Sequence, residues 1–366
     1  MRRSVLFLLV LTGLVLPACA SAQRQQPPYT RADTLRGSIG PARAWWDVVF
    51  YDLNVRVDPA DSSVSGWNAI TYRVVSPGRE MQIDLQEPLV IDSVVQDGRP
   101  LALRREGDVY FATLPAAPEA GTIQTATVYY HGKPRIAKNP PWDGGLIVVQ
   151  DSLGRPWVAT ANQGLGASVW WPNKDTQAEE PDSQRIAITV PHPMVNVSNG
   201  RLRSVVNEDG WATFEWFVRN PINNYNIAIN AGSYAHFGEI YQGEDGILTL
   251  DYWPLDYNLE AARRQFTQVK PTIACFEHWF GPYPWYEDGF KLVETPHLGM
   301  EHQSAVAYGN GYQNGYRGSD RSGSGHGLDF DFIIVHEAAH EWWGNNLTTA
   351  DLADMWVHEA FGNYAE

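Results

Sequence analysis

The chain has 366 residues, of which 44% are hydrophobic and 19% are charged, which excludes a disordered protein and allows at least one large core. Its formal net charge is -15 and its pI is about 5.1. A surface this acidic repels phosphate backbones, so we expect no nucleic acid partner. The length is typical of two domains.

The first residues have the features of an export signal. A basic pair precedes an apolar run, residues 5 to 16, that is too short to cross a bilayer comfortably, and small residues follow at 20 to 22. We therefore expect residues 1–22 to be a signal peptide and the mature chain to be periplasmic or secreted, without a stable membrane span. A retained membrane anchor is the alternative.

The chain has two cysteines, and one of them, Cys19, lies in the signal region. Lipoprotein processing at Cys19 is a second alternative to signal peptidase cleavage. The mature chain keeps Cys275 alone, so it forms no intramolecular disulfide. Because Cys275 lies on an apolar helical pattern, we expect it to be a buried, unreactive thiol.

Residues 23–36 are polar, contain two prolines and lack periodicity, which predicts a tether. After them, short runs alternate between apolar and polar residues, as in 69 to 75, and Asp97-Gly98 marks a hairpin turn. Frequent strands without a long helical pattern between them predict an antiparallel β domain over residues 37–236.

Helical patterns appear after residue 256. The first covers residues 259 to 280, and Pro271 is expected to kink or divide it. The strongest helix runs from 329 to 343, where Asp329 or Asp331 can cap the first turn. A last helix begins near residue 354. The chain is therefore predicted to be α+β, with a second domain over residues 237–366.

The strongest helix contains His336-Glu337-Ala338-Ala339-His340. Side chains at positions i and i+4 share a helix face, so both imidazoles can reach one ion at about 2.0–2.1 Å. Glu337 can accept a proton from a water activated by that ion. Glu359, nineteen residues after His340 on the next predicted helix, offers a third ligand. Two imidazoles and one carboxylate leave a fourth position open, which predicts one catalytic zinc per chain.

Other polar residues of the last helix are candidates for supporting roles. Glu366 lies seven residues, or two turns, after Glu359, and it can accept the second N–H of a zinc-bound histidine and so determine its tautomer. Asn363 can take the same role. His358 points about 100° away from Glu359 around the helix, so we interpret it as a supporting or surface residue and not as a ligand.

This arrangement of ligands resembles the M1 family of zinc aminopeptidases, the gluzincin group that includes aminopeptidase N and leukotriene A4 hydrolase. Eighteen residues separate His340 from Glu359, as the family pattern requires. The family also carries a Gly-Ala-Met-Glu-Asn segment before its zinc helix. In this chain residues 298 to 302 read Leu-Gly-Met-Glu-His, with Glu301 thirty-five residues before His336 and departures at Leu298 and His302.

The resemblance implies roles for several residues. Glu301 would hold the free α-amine of the substrate, Gly299 and Met300 would also bind the substrate, and Gln163 would line the pocket for its first side chain. The segments 280 to 284 and 171 to 175 are also similar to the family, so the resemblance covers about residues 46 to 366. It implies a saddle-like β domain packed on a thermolysin-like zinc peptidase domain.

Members of the family carry a catalytic tyrosine and a helical C-terminal domain further along the chain than the third zinc ligand. Neither is present before Glu366. We therefore expect the 366 residues to be truncated at the C-terminus and to be inactive on their own.

These features lead to one hypothesis and two alternatives. The hypothesis is an exported zinc metallopeptidase that removes N-terminal residues from peptides with a free N-terminus, with Glu337 as general base. A metallo-endopeptidase with the same zinc site would have no use for Glu301. An inactive binding or scaffold protein would have no use for an intact set of ligands. The preferred side chain, the physiological peptide and the oligomeric state do not follow from the sequence.

Overall fold

Residues 29–366 are described by a computed structural model. The predicted signal peptide, residues 1–22, and Cys19 lie outside the described residues, as do residues 23 to 28 of the predicted tether. Within the described part of the chain, no helix is long and apolar enough to cross a membrane.

The prediction of a tether is wrong for its second half, which forms helix α1 (Arg31–Gly37). Thr30 and Asp33 cap this helix reciprocally: the Asp33 N–H donates to Thr30 Oγ1 (3.2 Å), and the Thr30 N–H donates to the Asp33 carboxylate (2.7 Å). Leu35 is buried beside Phe111 of the β domain. A seven-residue helix is too short to be stable alone, so packing on the strands stabilises it, and its own periodicity cannot reveal it.

A second short helix and fifteen strands follow between residues 41 and 232. In chain order they are α2 (Pro41–Ala44), β1 (Trp46–Asp58), β2 (Ser63–Val74), β3 (Glu80–Asp84), β4 (Val90–Gln96), β5 (Arg99–Pro100), β6 (Ala102–Glu106), β7 (Val109–Thr113), β8 (Ile123–Gly132), β9 (Gly145–Gln150), β10 (Pro156–Ala161), β11 (Ser183–Pro191), β12 (Val195–Val197), β13 (Arg201–Glu208), β14 (Trp211–Val218) and β15 (Asn230–Gly232).

These strands form three sheets. Eight strands lie in the order β13-β14-β11-β1-β2-β8-β4-β5, four in the order β12-β15-β10-β9, and three in the order β3-β7-β6. Alternate residues of β14 are buried, as its apolar–polar alternation predicts. The pairing is antiparallel as predicted, except that β1 and β11 are parallel from Phe50 to Arg56. These two strands are more than a hundred residues apart in the chain, so the local alternation of apolar and polar residues cannot predict that they pair.

The second part of the chain contains a mixed sheet and four α-helices. In chain order they are β16 (Phe237–Gly243), β17 (Gly246–Trp253), α3 (Leu259–Gln265), α4 (Val269–Phe280), β18 (Phe290–Glu294), β19 (Gly299–Met300), β20 (Val306–Tyr308), α5 (Phe332–Ala339) and α6 (Trp356–Ala365). The sheet order is β16-β17-β18-β20-β19, with β18 parallel to both of its neighbours. The predicted α+β class is confirmed.

The helices differ from the predictions in detail. A 3₁₀ turn separates α3 from α4 and leaves Pro271 in the first turn of α4, where its missing N–H is not needed. Helix α5 is shorter than predicted, because after Ala339 the chain continues in turns, with Trp342 N–H donating to the Ala339 carbonyl (3.1 Å). Cys275 is exposed on α4, so the expectation of a buried thiol is wrong. The apolar face of α4 packs inward through Ile273 and Phe276 instead.

Candidate metal centre

Helices α5 and α6 bring three potential metal ligands together. The Nε2 atoms of His336 and His340 are 3.4 Å apart. Glu359 Oε2, from α6, lies 3.5 Å from His336 Nε2 and 3.8 Å from His340 Nε2. Among residues 29–366, this is the group of three or more His, Cys, Asp or Glu side chains whose ligand atoms all lie within 4.8 Å of one another.

The other nitrogen of each imidazole has an acceptor that determines the tautomer. His340 Nδ1 lies 2.9 Å from the Trp343 carbonyl oxygen, which can only accept, so Nδ1 carries the proton. His336 Nδ1 lies 2.6 Å from Oε1 of Glu366, the residue that directly follows α6. In the neutral form of each ring, Nε2 is therefore left with a lone pair, and the two Nε2 atoms face the same position.

The three groups fit a zinc ion. Tetrahedral zinc with ligands at about 2.0–2.2 Å holds its ligand atoms about 3.3–3.6 Å apart. The separation of the two Nε2 atoms and the distance from His336 Nε2 to Glu359 lie in this range, and the distance from His340 Nε2 to Glu359 lies slightly above it. Two neutral imidazoles and one carboxylate are also the donor set of catalytic zinc sites, which keep a fourth position for water or substrate.

The electrostatics of the site favour a cation. Burial alone would lower the pKa of His336, but its hydrogen bond to Glu366 and the charges of Glu337 and Glu359 outweigh burial and raise this pKa to about 9. Burial raises the pKa of Glu337 to about 8, and the charges of Glu301 and Glu359 act in the same direction. Carboxylates collected around two imidazoles create a negative potential that a divalent cation would neutralise, and such a cation would favour the ionised form of Glu337.

Glu337 is buried and contacts the short edge strand β19. A Cβ atom built on Gly299 would lie 2.1 Å from Glu337 Oε1, so only glycine leaves room for the carboxylate at this point. Met300, the next residue of β19, is buried against Ile147 and Ala161 of the β domain. The strand thus lies between the Glu337 carboxylate and the first part of the chain.

Glu301 follows β19 directly and is held by residues from distant parts of the chain. Its side chain is buried, and its Oε1 accepts hydrogen bonds from Gln163 Nε2 (2.6 Å) and from the Tyr225 hydroxyl (3.0 Å). Burial, together with the charge of Glu301, raises the pKa of Tyr225, so this hydroxyl remains a donor. Asn345 Nδ2 donates to the Glu301 backbone carbonyl (2.8 Å). Both side-chain donors bind Oε1, which leaves Oε2 to face a ligand.

A cavity of about 530 Å³ joins these groups. Its lining includes every predicted catalytic, metal and substrate-binding residue: Gln163, Gly299, Met300, Glu301, His336, Glu337, His340 and Glu359. Glu366 does not line this cavity, but it contacts His336 from behind. The structure therefore places all of the residues singled out in the sequence at one site.

Two residues of α6 differ from their interpretations. His358 is fully buried, and its Nε2 accepts a hydrogen bond from the Thr349 N–H (3.1 Å), so the alternative of a surface residue is wrong. Its ring packs behind His340, where Gly344 approaches both imidazoles. Asn363 Nδ2 donates to the Glu359 carbonyl (2.8 Å) instead of contacting a histidine.

The sequence reasoning missed Tyr225 and Asn345. Tyr225 lies in the run Asn223-Asn224-Tyr225-Asn226, which has no motif spacing to Glu301, seventy-six residues later. Asn345 follows the helix that carries the histidines, and its only sequence signal is that position. Both residues act on Glu301 through tertiary contacts, which a local pattern does not reveal.

Comparison with known proteins finds that the chain is similar to several aminopeptidases and, in fold, to M1 zinc metallopeptidases. No protein-family profile matches the chain. Mouse aminopeptidase B is 27% identical over 220 residues, which cover 58% of this chain and 30% of that protein. Leucine aminopeptidase 2 of Vanderwaltozyma polyspora is 28% identical over 221 residues, which cover 59% of this chain and 30% of that protein.

Solved structures agree in fold. An M1 zinc metallopeptidase from Deinococcus radiodurans superimposes with a TM-score of 0.73 at 20% identity, covering 87% of this chain and 69% of that one. Yeast LTA4 hydrolase superimposes with a TM-score of 0.68 at 20% identity, covering 88% of this chain and 48% of that one.

These comparisons confirm the predicted resemblance to the M1 family, together with a fold in which an N-terminal β domain precedes a thermolysin-like part. The chain spans about 30% of the length of the curated relatives it matches.

Proposed function

We propose that this chain carries the zinc centre and the amine-binding pocket of a metallo-aminopeptidase. One observation carries the proposal: the buried Glu301 carboxylate lies in the same cavity as the cluster of His336, His340 and Glu359. An endopeptidase does not bind a free N-terminus, so it has no need for a buried carboxylate beside its catalytic centre. An inactive scaffold has no need for two imidazoles with matched tautomers.

In this proposal His336, His340 and Glu359 hold one zinc ion. When bound, zinc acts as a Lewis acid that polarises the scissile carbonyl and lowers the pKa of a water molecule from 15.7 toward about 7. Glu337 takes a proton from that water and passes it to the amine that leaves. Its burial against Gly299 keeps the carboxylate beside the reacting atoms.

Glu301 binds the ammonium group of the first residue of the peptide. A charge-assisted hydrogen bond from an ammonium to a buried carboxylate is stronger than one between neutral groups. Gln163 and Tyr225 both bind Oε1 of Glu301, so they orient the carboxylate and leave Oε2 for the substrate. Strand β19, at the edge of its sheet, offers backbone groups with which an extended peptide can pair.

The cavity is formed by both parts of the chain, which we propose to be two domains, residues 37–236 and residues 237–366. Gln163 and Tyr225 belong to the first, and Glu301 to the second. Export of the mature chain, expected from residues 1–22, belongs to the same proposal.

The names of similar proteins support an aminopeptidase. Three of the matched curated relatives are called aminopeptidase B, and another is called leucine aminopeptidase 2. Solved M1 zinc metallopeptidases have been described with L-arginine, with L-tryptophan and with a Tyr-Ser-Ala substrate bound. Amino acids and short peptides with a free amine are the ligands that the Glu301 pocket would accept here.

The test compares alanine 4-nitroanilide with its N-acetyl derivative, using the purified full-length protein loaded with zinc. The free amine should be preferred by about 10- to 100-fold in kcat/KM, because the acetylated end leaves the buried carboxylate without a partner. Glu301→Gln should remove most of this preference and retain the zinc. Equal rates on the two substrates would refute the aminopeptidase and favour an endopeptidase with the same metal site.

A further inference from the structure

A tryptophan that none of the roles above explains stands in the same cavity. Trp142 lines it together with Pro141, and 62% of the Trp142 residue surface is exposed. Single exposed apolar residues are common on protein surfaces, but a large aromatic ring that stands open inside a binding cavity is a feature of ligand sites.

The loop that carries Trp142 is held in place on both sides. The Asp143 carboxylate accepts hydrogen bonds from the Lys138 N–H (2.6 Å) and the Asn139 N–H (2.9 Å). Gly144 has φ +59°, and a Cβ atom there would lie 2.9 Å from the Ala161 carbonyl oxygen and 3.1 Å from Leu165 Cδ1. The indole is therefore presented by a closed turn that packs closely on strand β10 and on the turn after it.

That packing places the loop of Trp142 against the turn that contacts Glu301. Leu165, against which Gly144 packs, lies in the same turn as Gln163, and Gln163 binds Glu301. Phe332, by contrast, lies beside the proposed metal ligands, since it stacks on His336 with ring centroids 5.5 Å apart. A peptide whose ammonium lies on Glu301 would thus have its first side chain, not its second, on the side of Trp142.

The residues that line the cavity indicate which first side chains of a peptide would bind beside Trp142. The lining residues include no lysine or arginine that would repel a cationic side chain, and zinc and the bound ammonium would offset the charges of Glu301 and Glu359. The choice of side chain therefore depends on the indole, whose face attracts cations as well as other aromatic rings. A flat side chain gains binding free energy from stacking on the indole as well as from burial, whereas a branched aliphatic side chain gains it from burial alone.

We propose that Trp142 forms one wall of the pocket for the first side chain of the peptide and stacks on a flat group, either the guanidinium of arginine or an aromatic ring. This rests on the proposed aminopeptidase function and names the substrates that such an enzyme would prefer. Trp142 is a specificity-determining residue in this scheme and takes no part in the chemistry.

The kinetic test compares the 4-nitroanilides of arginine, phenylalanine and leucine, using the zinc-loaded full-length protein. Trp142→Ala should lower the arginine-to-leucine and phenylalanine-to-leucine ratios of kcat/KM by about 5- to 20-fold, and Trp142→Phe should restore most of both ratios. Trp279→Ala is the matched control, because Trp279 is 70% exposed on α4 and does not line the cavity. Ratios that stay unchanged in Trp142→Ala would overturn the proposal.

A binding measurement separates this inference from the proposed function. Calorimetry would give dissociation constants of L-arginine, L-phenylalanine and L-leucine for zinc-loaded Glu337→Gln protein, with and without Trp142→Ala. Selective loss of arginine binding, of phenylalanine binding, or of both relative to leucine binding supports the stacking wall and shows which flat group it accepts. Equal weakening of all three amino acids contradicts it. If the wild-type protein hydrolyses no aminoacyl substrate, the proposed function fails, while selective loss of binding would still support the subsite.

Discussion

His336 and His340 present their Nε2 atoms to one position because each ring is held on its Nδ1 side. The spacing of the two histidines and of Glu359 could be read from the sequence, and so could a role for Glu366 on the same helix face. The partner of His340 could not, because it is the backbone carbonyl of Trp343 in a turn that the sequence suggested would be helix. Every residue type has a backbone carbonyl, so the sequence does not reveal which one accepts this hydrogen bond.

Glu337→Gln should separate metal binding from catalysis. The amide has the shape of the carboxylate but cannot accept a proton, so turnover should fall by about 10²- to 10⁴-fold or more while one zinc per chain remains. Metal analysis and steady-state kinetics on the same sample measure both quantities. Hydrolysis at nearly the wild-type rate would require another base.

Glu366→Ala should weaken zinc binding without removing a ligand. Loss of the acceptor on His336 Nδ1 frees the ring to rotate and to change tautomer, and such changes cost about 10- to 100-fold in metal affinity. Competition with a chromophoric chelator gives the dissociation constant. Tyr364→Ala, on the same helix and 81% exposed, is the control and should bind zinc like the wild type. An unaltered affinity in Glu366→Ala would show that the contact is dispensable.

The carboxyl group of Glu180, which is not part of the proposed metal centre, should make the stability of the protein depend on pH. Burial raises its pKa to about 7, and its Oε1 has no hydrogen-bond partner among the described residues. The pKa of Glu180 is higher in the folded protein than in the unfolded chain. Its contribution to the free energy of unfolding is therefore complete below about pH 4.5 and is lost as the pH rises through about 7. Glu180→Gln should therefore raise the melting temperature at pH 8 and change it little at pH 5. A larger gain at pH 5 than at pH 8 would contradict this sign.

At the scale of elements, the centre depends on how α5 begins and how closely α6 approaches it. Asp331, one of the two residues predicted to cap this helix, caps α5 and is fully buried. Its carboxylate also accepts hydrogen bonds from Tyr308 (2.7 Å) and Asn310 (2.8 Å). Gly362 allows the approach of α6, since a Cβ atom there would lie 3.3 Å from His340 Cε1. The cap follows from the sequence, whereas its buried partners and the role of Gly362 require the tertiary structure.

Asp331→Ala should destabilise the protein more than loss of an ordinary cap. A helix cap contributes about 0.5–2 kcal/mol, and each buried donor left without an acceptor costs about 1–3 kcal/mol. We expect a decrease of about 2–5 kcal/mol in the free energy of unfolding, measured by denaturant titration. Asp351→Ala is the matched control, because Asp351 caps an exposed 3₁₀ turn, and it should cost less than about 1 kcal/mol. Similar losses in both variants would refute a special role for Asp331.

At the scale of the whole molecule, the sequence predicts the α+β class and the order of strands and helices because these depend on local periodicity. It does not predict the parallel pair of β1 and β11, helix α1, or the contacts of Tyr225 and Gln163 with Glu301. Those features depend on contacts between residues far apart in the chain. The residues for the metal could be named from their spacing, whereas the cavity that joins them to the amine pocket required the packing of both parts.

The most direct test of the central claim is an anomalous-diffraction map, recorded at the zinc absorption edge from crystals of the full chain purified with zinc. The account predicts one strong peak per chain at bonding distance, about 2.0–2.2 Å, from His336 Nε2, His340 Nε2 and a Glu359 carboxylate oxygen. The peak should be absent in crystals of His340→Ala. A zinc peak elsewhere, or one that keeps its place and height in that variant, would contradict the assignment of the metal centre.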